Sequence, residues 1–237
     1  MILSHNDSDH FDGILKLVEE NKVEKVYTVL LLKHVDELLK KIDDGRKTRE
    51  SIKRQIIDRY SNIALLGKKG ILEDTWSISE IISGVQVVGP SEEYMLKAFA
   101  KELDTTEGDT INSETIVNAT SVQVSIEIGN KGKLLLCGDC SFAAIEDKVT
   151  LYDAIQLPHH GKKDQGEKIF EANIGRNHVK YIISDNTGNT NGGSDKLETK
   201  GRSVENTKNG DVEITFLSLT RVQAGSYSIK TNYEVLI

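Results

Sequence analysis

At 237 residues the chain is long enough for one large α/β domain or two small ones, and its 38% hydrophobic content suffices for a core. The 30 basic and 37 acidic residues leave a net charge of −7, which argues against a surface coated in positive charge for gripping nucleic acid. No apolar run reaches the length of a membrane span, and no signal peptide precedes the first motif, so a cytoplasmic protein without membrane contact is expected.

Ile2-Leu3 reads as a short buried strand running into a polar loop, Ser4 to Asp12. Gly13 then opens a helix to about Glu20, with Ile14, Leu17 and Val18 at helical spacing. Val23 to Leu32 is β-branched and apolar and predicts a buried strand. From His34 to Tyr60 the pattern is helical. Leu38, Leu39 and Ile42 mark one apolar face, and Ile52, Ile56, Ile57 and Tyr60 mark another, with Asp43-Asp44-Gly45 as the break between two helices. The second helix carries Arg46, Lys47, Arg49, Lys53, Arg54 and Arg59, but Glu50 and Asp58 dilute the charge, so a solvated face is the reading. His34 stands alone and is read as structural.

Residues 76–83 are short and mixed. Val85 to Val88 predicts a strand ending in Gly89-Pro90, and Ser91 caps a helix over about Tyr94–Leu103. Residues 104–115 read as a polar loop. Ser121 to Ile128 alternates apolar and polar residues, Gly129 to Gly132 is turn chemistry, and Lys133 to Cys137 returns as a hairpin strand. Asp153 to Leu157 and Tyr181 to Ser184 are further strands, with a short helix over about 168–173. Residues 185–203 form a long polar loop. Val212 to Leu217 and Ser226 to Leu236 close the chain as an antiparallel pair. Cys137 and Cys140 form a C-x-x-C, which is only half a zinc site and lacks a redox-motif setting, so both are read as reduced thiols.

Three of these strand ends carry metal-type ligands. His5-x-Asp7-x-Asp9-His10 offers four within six residues, Asp139 follows the hairpin, and His159-His160 follows the next strand. Imidazole nitrogen and carboxylate oxygen both suit zinc, manganese or iron. Loops at the carboxyl ends of neighbouring strands can converge. A solvated acidic loop capping the next helix is the bland alternative for residues 5–12. Five or six such ligands exceed the need of one tetrahedral ion, and an aspartate can bridge two. Two close cations activate water and clamp a phosphoryl or carbonyl oxygen, so no serine or cysteine nucleophile is required. Neither a nucleophile elbow nor a Gly-rich phosphate loop occurs.

The segment His5-Asn6-Asp7-Ser8-Asp9-His10 resembles the H-x-[HD]-x-D-H signature of the metallo-β-lactamase fold superfamily. Leu135-Leu136-Cys137-Gly138-Asp139 is similar to its later strand ending in Gly-Asp. Val87-Val88-Gly89-Pro90, Asn118-Ala119-Thr120-Ser121 and Leu157-Pro158-His159-His160-Gly161 resemble one branch, which includes the hydrolase domain of DNA-uptake (competence) channel proteins. The resemblance spans about residues 2–216.

It implies a single α/β domain built as a four-layer αββα sandwich, with a helical insertion at about 34–83 and a site for one or two divalent ions. Carried over residue by residue, it assigns His5 and Asp7 to one metal and Asp9 and His10 to the other. Asp139 bridges, His159 completes the second site, and Asp9 doubles as general base. His160, Asn118 and Ser121 become supporting or substrate-contacting residues. Aspartate at position 7, where many members have histidine, favours manganese over zinc. No histidine between residues 14 and 138 obviously completes the first site. The strands that precede the motif in the family are not found here, so either the chain is truncated or a partner segment completes the first sheet.

The implied activity is hydrolysis by a metal-bound hydroxide, first of a phosphodiester in nucleic acid or a nucleotide. A thioester, lactone or β-lactam is the alternative substrate. The competing reading is a non-catalytic metal-binding module acting through a partner.

Overall fold

A computed structural model of the chain describes residues 1–104, 110–129, 132–185, 194–219 and 235–236. It is a mixed α/β protein with a large mixed sheet. The chain divides into two compact units. The first comprises Met1–Ser79, Val87–Gln123 and Asp139–Ala144; the second comprises Glu80–Gln86, Val124–Gly138 and Ile145–Ile237.

The first unit begins with an extended segment. Leu3 N–H donates to the Tyr27 carbonyl at 2.9 Å, Tyr27 N–H donates to the Met1 carbonyl at 2.9 Å, and Ile2 bridges Tyr27 in parallel. Val26–Thr28 pairs in parallel with Leu72–Asp74. The strand expected over residues 23–32 is therefore only three residues long. A turn of 3-10 helix at Leu31–Lys33 takes the remaining apolar residues, and Leu31 is buried there.

The first helix is Ser8–Glu19, so it starts five residues before the expected Gly13. Asp7 holds extended backbone at its N-cap, and its carbonyl accepts from the N–H groups of His10 and Phe11 at 3.1 and 2.9 Å. Asp9 in the first turn suits the positive end of the helix dipole. Phe11, Ile14 and Val18 pack with Leu3, Val26 and Leu66 in one core cluster.

The break at residues 43–45 gives helices Val35–Lys41 and Arg49–Arg59, followed by Ser61–Gly67, which the sequence pattern did not single out. Leu38, Ile52 and Ile56 meet Met95, Phe99 and Leu103 of helix Glu92–Asp104 in a second cluster. The basic residues around Arg49–Arg59 are tied to groups of the same unit. Arg49 pairs with Asp36 at 2.8 Å, Arg59 with Glu102 at 2.9 Å and Arg46 with Asp44 at 2.9 Å, while Lys47 donates to the Leu103 carbonyl at 2.6 Å. His34 Nε2–H donates to Oδ2 of the buried Asp74 at 3.0 Å, and its ring packs edge-on to Trp76, with ring centroids 3.8 Å apart.

The expected loop after residue 104 contains, in its described part, a hairpin of Thr110–Ile111 against Glu114–Thr115. Asn112 and Ser113 both have positive φ, the conformation a two-residue hairpin turn requires.

A seven-stranded sheet, in the second unit except for Val87–Gly89 and Gln123, has the order Ser203–Asn206, Lys180–Ile183, Ala154–Gln156, Gly132–Leu136, Gln123–Ile128, Val85–Gly89, Glu80–Ile82. The first four strands run parallel, and the Gln123–Ile128 and Gly132–Leu136 pair is the antiparallel hairpin the alternation predicted. Its turn residues 130 and 131 lie outside the described residues. Ser203–Asn206 is an edge strand that the sequence pattern did not single out; it begins at the last residue of the expected loop. Its side chains are exposed or half-buried, so no apolar alternation marks it in the sequence.

The helix expected at 168–173 begins earlier and spans Lys163–Ala172. The closing pair is Glu213–Ile214 against Val235–Leu236, while most of the expected strand 226–236 lies outside the described residues. Among the described residues, no helix is long and apolar enough to cross a membrane.

Candidate metal centre

In the first unit the extended segment delivers His5, and the first turn of helix Ser8–Glu19 delivers Asp9 and His10. Asp7 sits at the N-cap but makes no side-chain cap, so its carboxylate faces elsewhere, with Oδ2 3.6 Å from His5 Nε2. Asp139 is 134 positions further along than His5 and belongs to the same unit. It is buried, and its two oxygens face different histidines: Oδ2 is 3.8 Å from His5 Nε2 and Oδ1 is 3.5 Å from His10 Nε2. Asp9 Oδ2 is 3.6 Å from His10 Nε2. The His5 and His10 rings lie 4.2 Å apart by centroid.

The donor set fits a cation. His5 Nε2 is buried and makes no hydrogen bond. In a tetrahedral site with bonds near 2.1 Å, neighbouring donor atoms stand about 3.4 Å apart, and the observed nitrogen–oxygen separations of 3.5–3.8 Å lie just above that. One ligand atom from each of His5, His10 and Asp139 falls within 4.8 Å of the others, so these three can hold a metal ion.

The opposite ring nitrogens are held by hydroxyls. Ser4 Oγ is 3.1 Å from His5 Nδ1 and 3.3 Å from His10 Nδ1, and Ser121 Oγ is 3.1 Å from His5 Nδ1. Ser121 Oγ also accepts from Asp139 N–H at 3.2 Å. A hydroxyl that accepts from Nδ1–H leaves Nε2 as the lone-pair donor, the arrangement seen around metal-bound histidines. Asn118 is buried, its carbonyl accepts from Ser121 N–H at 2.9 Å, and its Oδ1 has no hydrogen-bond partner. Ser4 was not singled out from the sequence. A serine is chemically generic, and only its place one residue before His5 hints at a role.

The electrostatics follow this geometry. The His5 ring beside Asp7 holds its carboxyl below the ordinary value, against the opposing effect of burial. Burial works against a charge on His10, but Asp139, Asp9 and Asp7 together outweigh it and raise its pKa.

His159 and His160 belong to the second unit. They follow strand Ala154–Gln156, and both hold left-handed backbone, with φ 50° and 56°. Gly161 continues at φ 79°, where a Cβ would come within 3.1 Å of Ile183 and Ser194, so only glycine fits. His160 donates Nδ1–H to the Ser184 carbonyl at 2.6 Å. His159 N–H donates to the Gly138 carbonyl at 3.2 Å. The sequence favoured His159 as the ligand of this pair; both histidines lie in the second unit.

No family model, curated protein or solved structure matches the chain, so the residues and their geometry carry the functional reading.

Proposed function

We propose that the chain is a metal-dependent hydrolase of the metallo-β-lactamase fold type, its four-layer sandwich included, acting on a phosphodiester. One observation carries the reading: a buried aspartate presents a separate oxygen to each of two histidines whose other nitrogens face serine hydroxyls. His5, His10 and Asp139 would hold an ion, and Asp7 and Asp9 are the further carboxylates that would serve one or two divalent cations there. A bound divalent cation supplies Lewis acidity and lowers the pKa of water towards neutrality.

The protein's own groups do the rest. Asp9, half exposed at the helix start, accepts a proton from the attacking water. Ser4 and Ser121 face Nδ1 of His5 and orient its ring. Asp139 is oriented through its backbone N–H by Ser121.

Metal analysis of the purified protein, with bis(p-nitrophenyl) phosphate hydrolysis, tests this. One or two equivalents of zinc, manganese or iron and metal-dependent turnover are expected. Asp139→Ala is expected to lose metal and about two orders of magnitude in rate. Undiminished hydrolysis in Asp139→Ala, or full activity after chelation, overturns it. Tight metal without turnover on phosphodiesters and esters assigns the chain to a non-catalytic metal-binding module.

A further inference from the structure

The first unit contains a cavity of about 460 Å³ whose wall includes Ser4, His5 and Asn6 of the metal centre's own segment. This is within the usual range for a small-molecule pocket. Its remaining wall is mainly aliphatic and aromatic. Leu30, Leu31, Ile56, Ile63, Leu72 and Phe99 are among its residues. Leu32 and Ile57 also line it although each is 46% exposed, so apolar surface continues to the rim. A soluble domain gains nothing by keeping such surface open unless something occupies it.

The charge on the wall is one-sided. Lys33 and Lys68, both exposed, are its charged residues, and no aspartate or glutamate lines it, in a chain with a net charge of −7. Asn6 Oδ1 is buried on this wall with no hydrogen-bond partner, leaving one polar contact available beside His5. A nucleotide base and sugar would leave their many polar groups unpaired against this lining. A hydrocarbon chain would not, and an acidic head would meet the lysines.

We propose that this cavity binds the chain of an anionic single-chain amphiphile, an alkyl phosphate or a fatty carboxylate, as the apolar limb of what the neighbouring centre hydrolyses. The assignment of that limb to a substrate rests on the hydrolase reading; the binding itself does not. In the reaction water adds across the ester bond. The hydroxyl goes to phosphorus or to the acyl carbon, the proton goes to the departing oxygen or sulfur, and no oxidant or reductant is needed.

Calorimetric titration of the chelator-treated full chain with octanoate, decanoate, decyl phosphate and decyltrimethylammonium tests the proposal. Decanoate is expected to bind about fifteenfold more tightly than octanoate, at about fourfold per buried methylene. Both anions are expected to bind more tightly than the cation, and whichever of decanoate and decyl phosphate binds better names the head group. Ala64→Trp, which fills the cavity from helix Ser61–Gly67, is expected to abolish binding while its thermal melt stays cooperative. Lys33→Glu with Lys68→Glu is expected to weaken the anions about tenfold or more and leave 1-decanol unchanged.

Absence of binding below the micellar concentration, equal affinity for the cation, or unchanged binding in a folded Ala64→Trp overturns the proposal. Because the titration uses metal-free protein, a failed hydrolase assay leaves it intact, and a failed titration leaves the hydrolase assay standing.

Discussion

Ser121 serves two members of the site at once: its Oγ stands 3.1 Å from His5 Nδ1 and accepts from Asp139 N–H. Groups that orient a ligating histidine typically set metal affinity by 10–100-fold. Ser121→Ala is therefore expected to weaken metal binding by about that factor, read by competition with a chromogenic chelator, without altering the fold. Ser121→Thr, which restores a hydroxyl, is expected to recover most of it. At this scale the sequence was legible where residue chemistry is distinctive. Two histidines and two aspartates in six positions announce a donor cluster whatever surrounds them. It was mute on the supporting groups, because a serine means something only beside the ring it touches.

Elements were readable where packing leaves a period in the sequence. The hairpin of Gln123–Ile128 and Gly132–Leu136 and the paired helices on either side of residues 43–45 each bury a regular apolar face. The edge strand Ser203–Asn206 buries none, and helix Ser61–Gly67 was hidden by its shortness. Helix Ser8–Glu19 starts before Gly13 because its first turn is organised by Asp7 and populated by polar residues, so polarity there signalled a loop. Helix Arg49–Arg59 has a clearer start. Ser51 N–H donates to Thr48 Oγ1 at 3.2 Å, and Thr48 N–H donates to Ser51 Oγ at 2.9 Å, a reciprocal cap. Thr48→Ala is expected to cost about 1 kcal/mol of unfolding free energy in urea titration. Thr48→Asp is expected to cost much less, because a carboxylate can accept the same bond.

For the molecule as a whole, metal is expected to act as a linked ligand of the folded state. Binding to the native form alone adds about 2.7 kcal/mol when free metal is a hundred times its dissociation constant. In a chain of this size that raises the melting temperature by about 5–10 °C. Scanning calorimetry is expected to show this rise with manganese or zinc, its reversal by chelator, and no response in His10→Ala. The two compact units were not anticipated from composition, because with two prolines in the chain no linker separates them and each is assembled from several stretches. The turn at residues 159–160 sets a limit on such gains. Side-chain-bearing residues in left-handed backbone cost about 1–2 kcal/mol each, and two in succession draw on a native state that is typically only 5–15 kcal/mol below the unfolded one. Exchanging both residues for glycine would relieve that strain, so the double replacement is expected to give a hardier molecule that has lost two imidazoles.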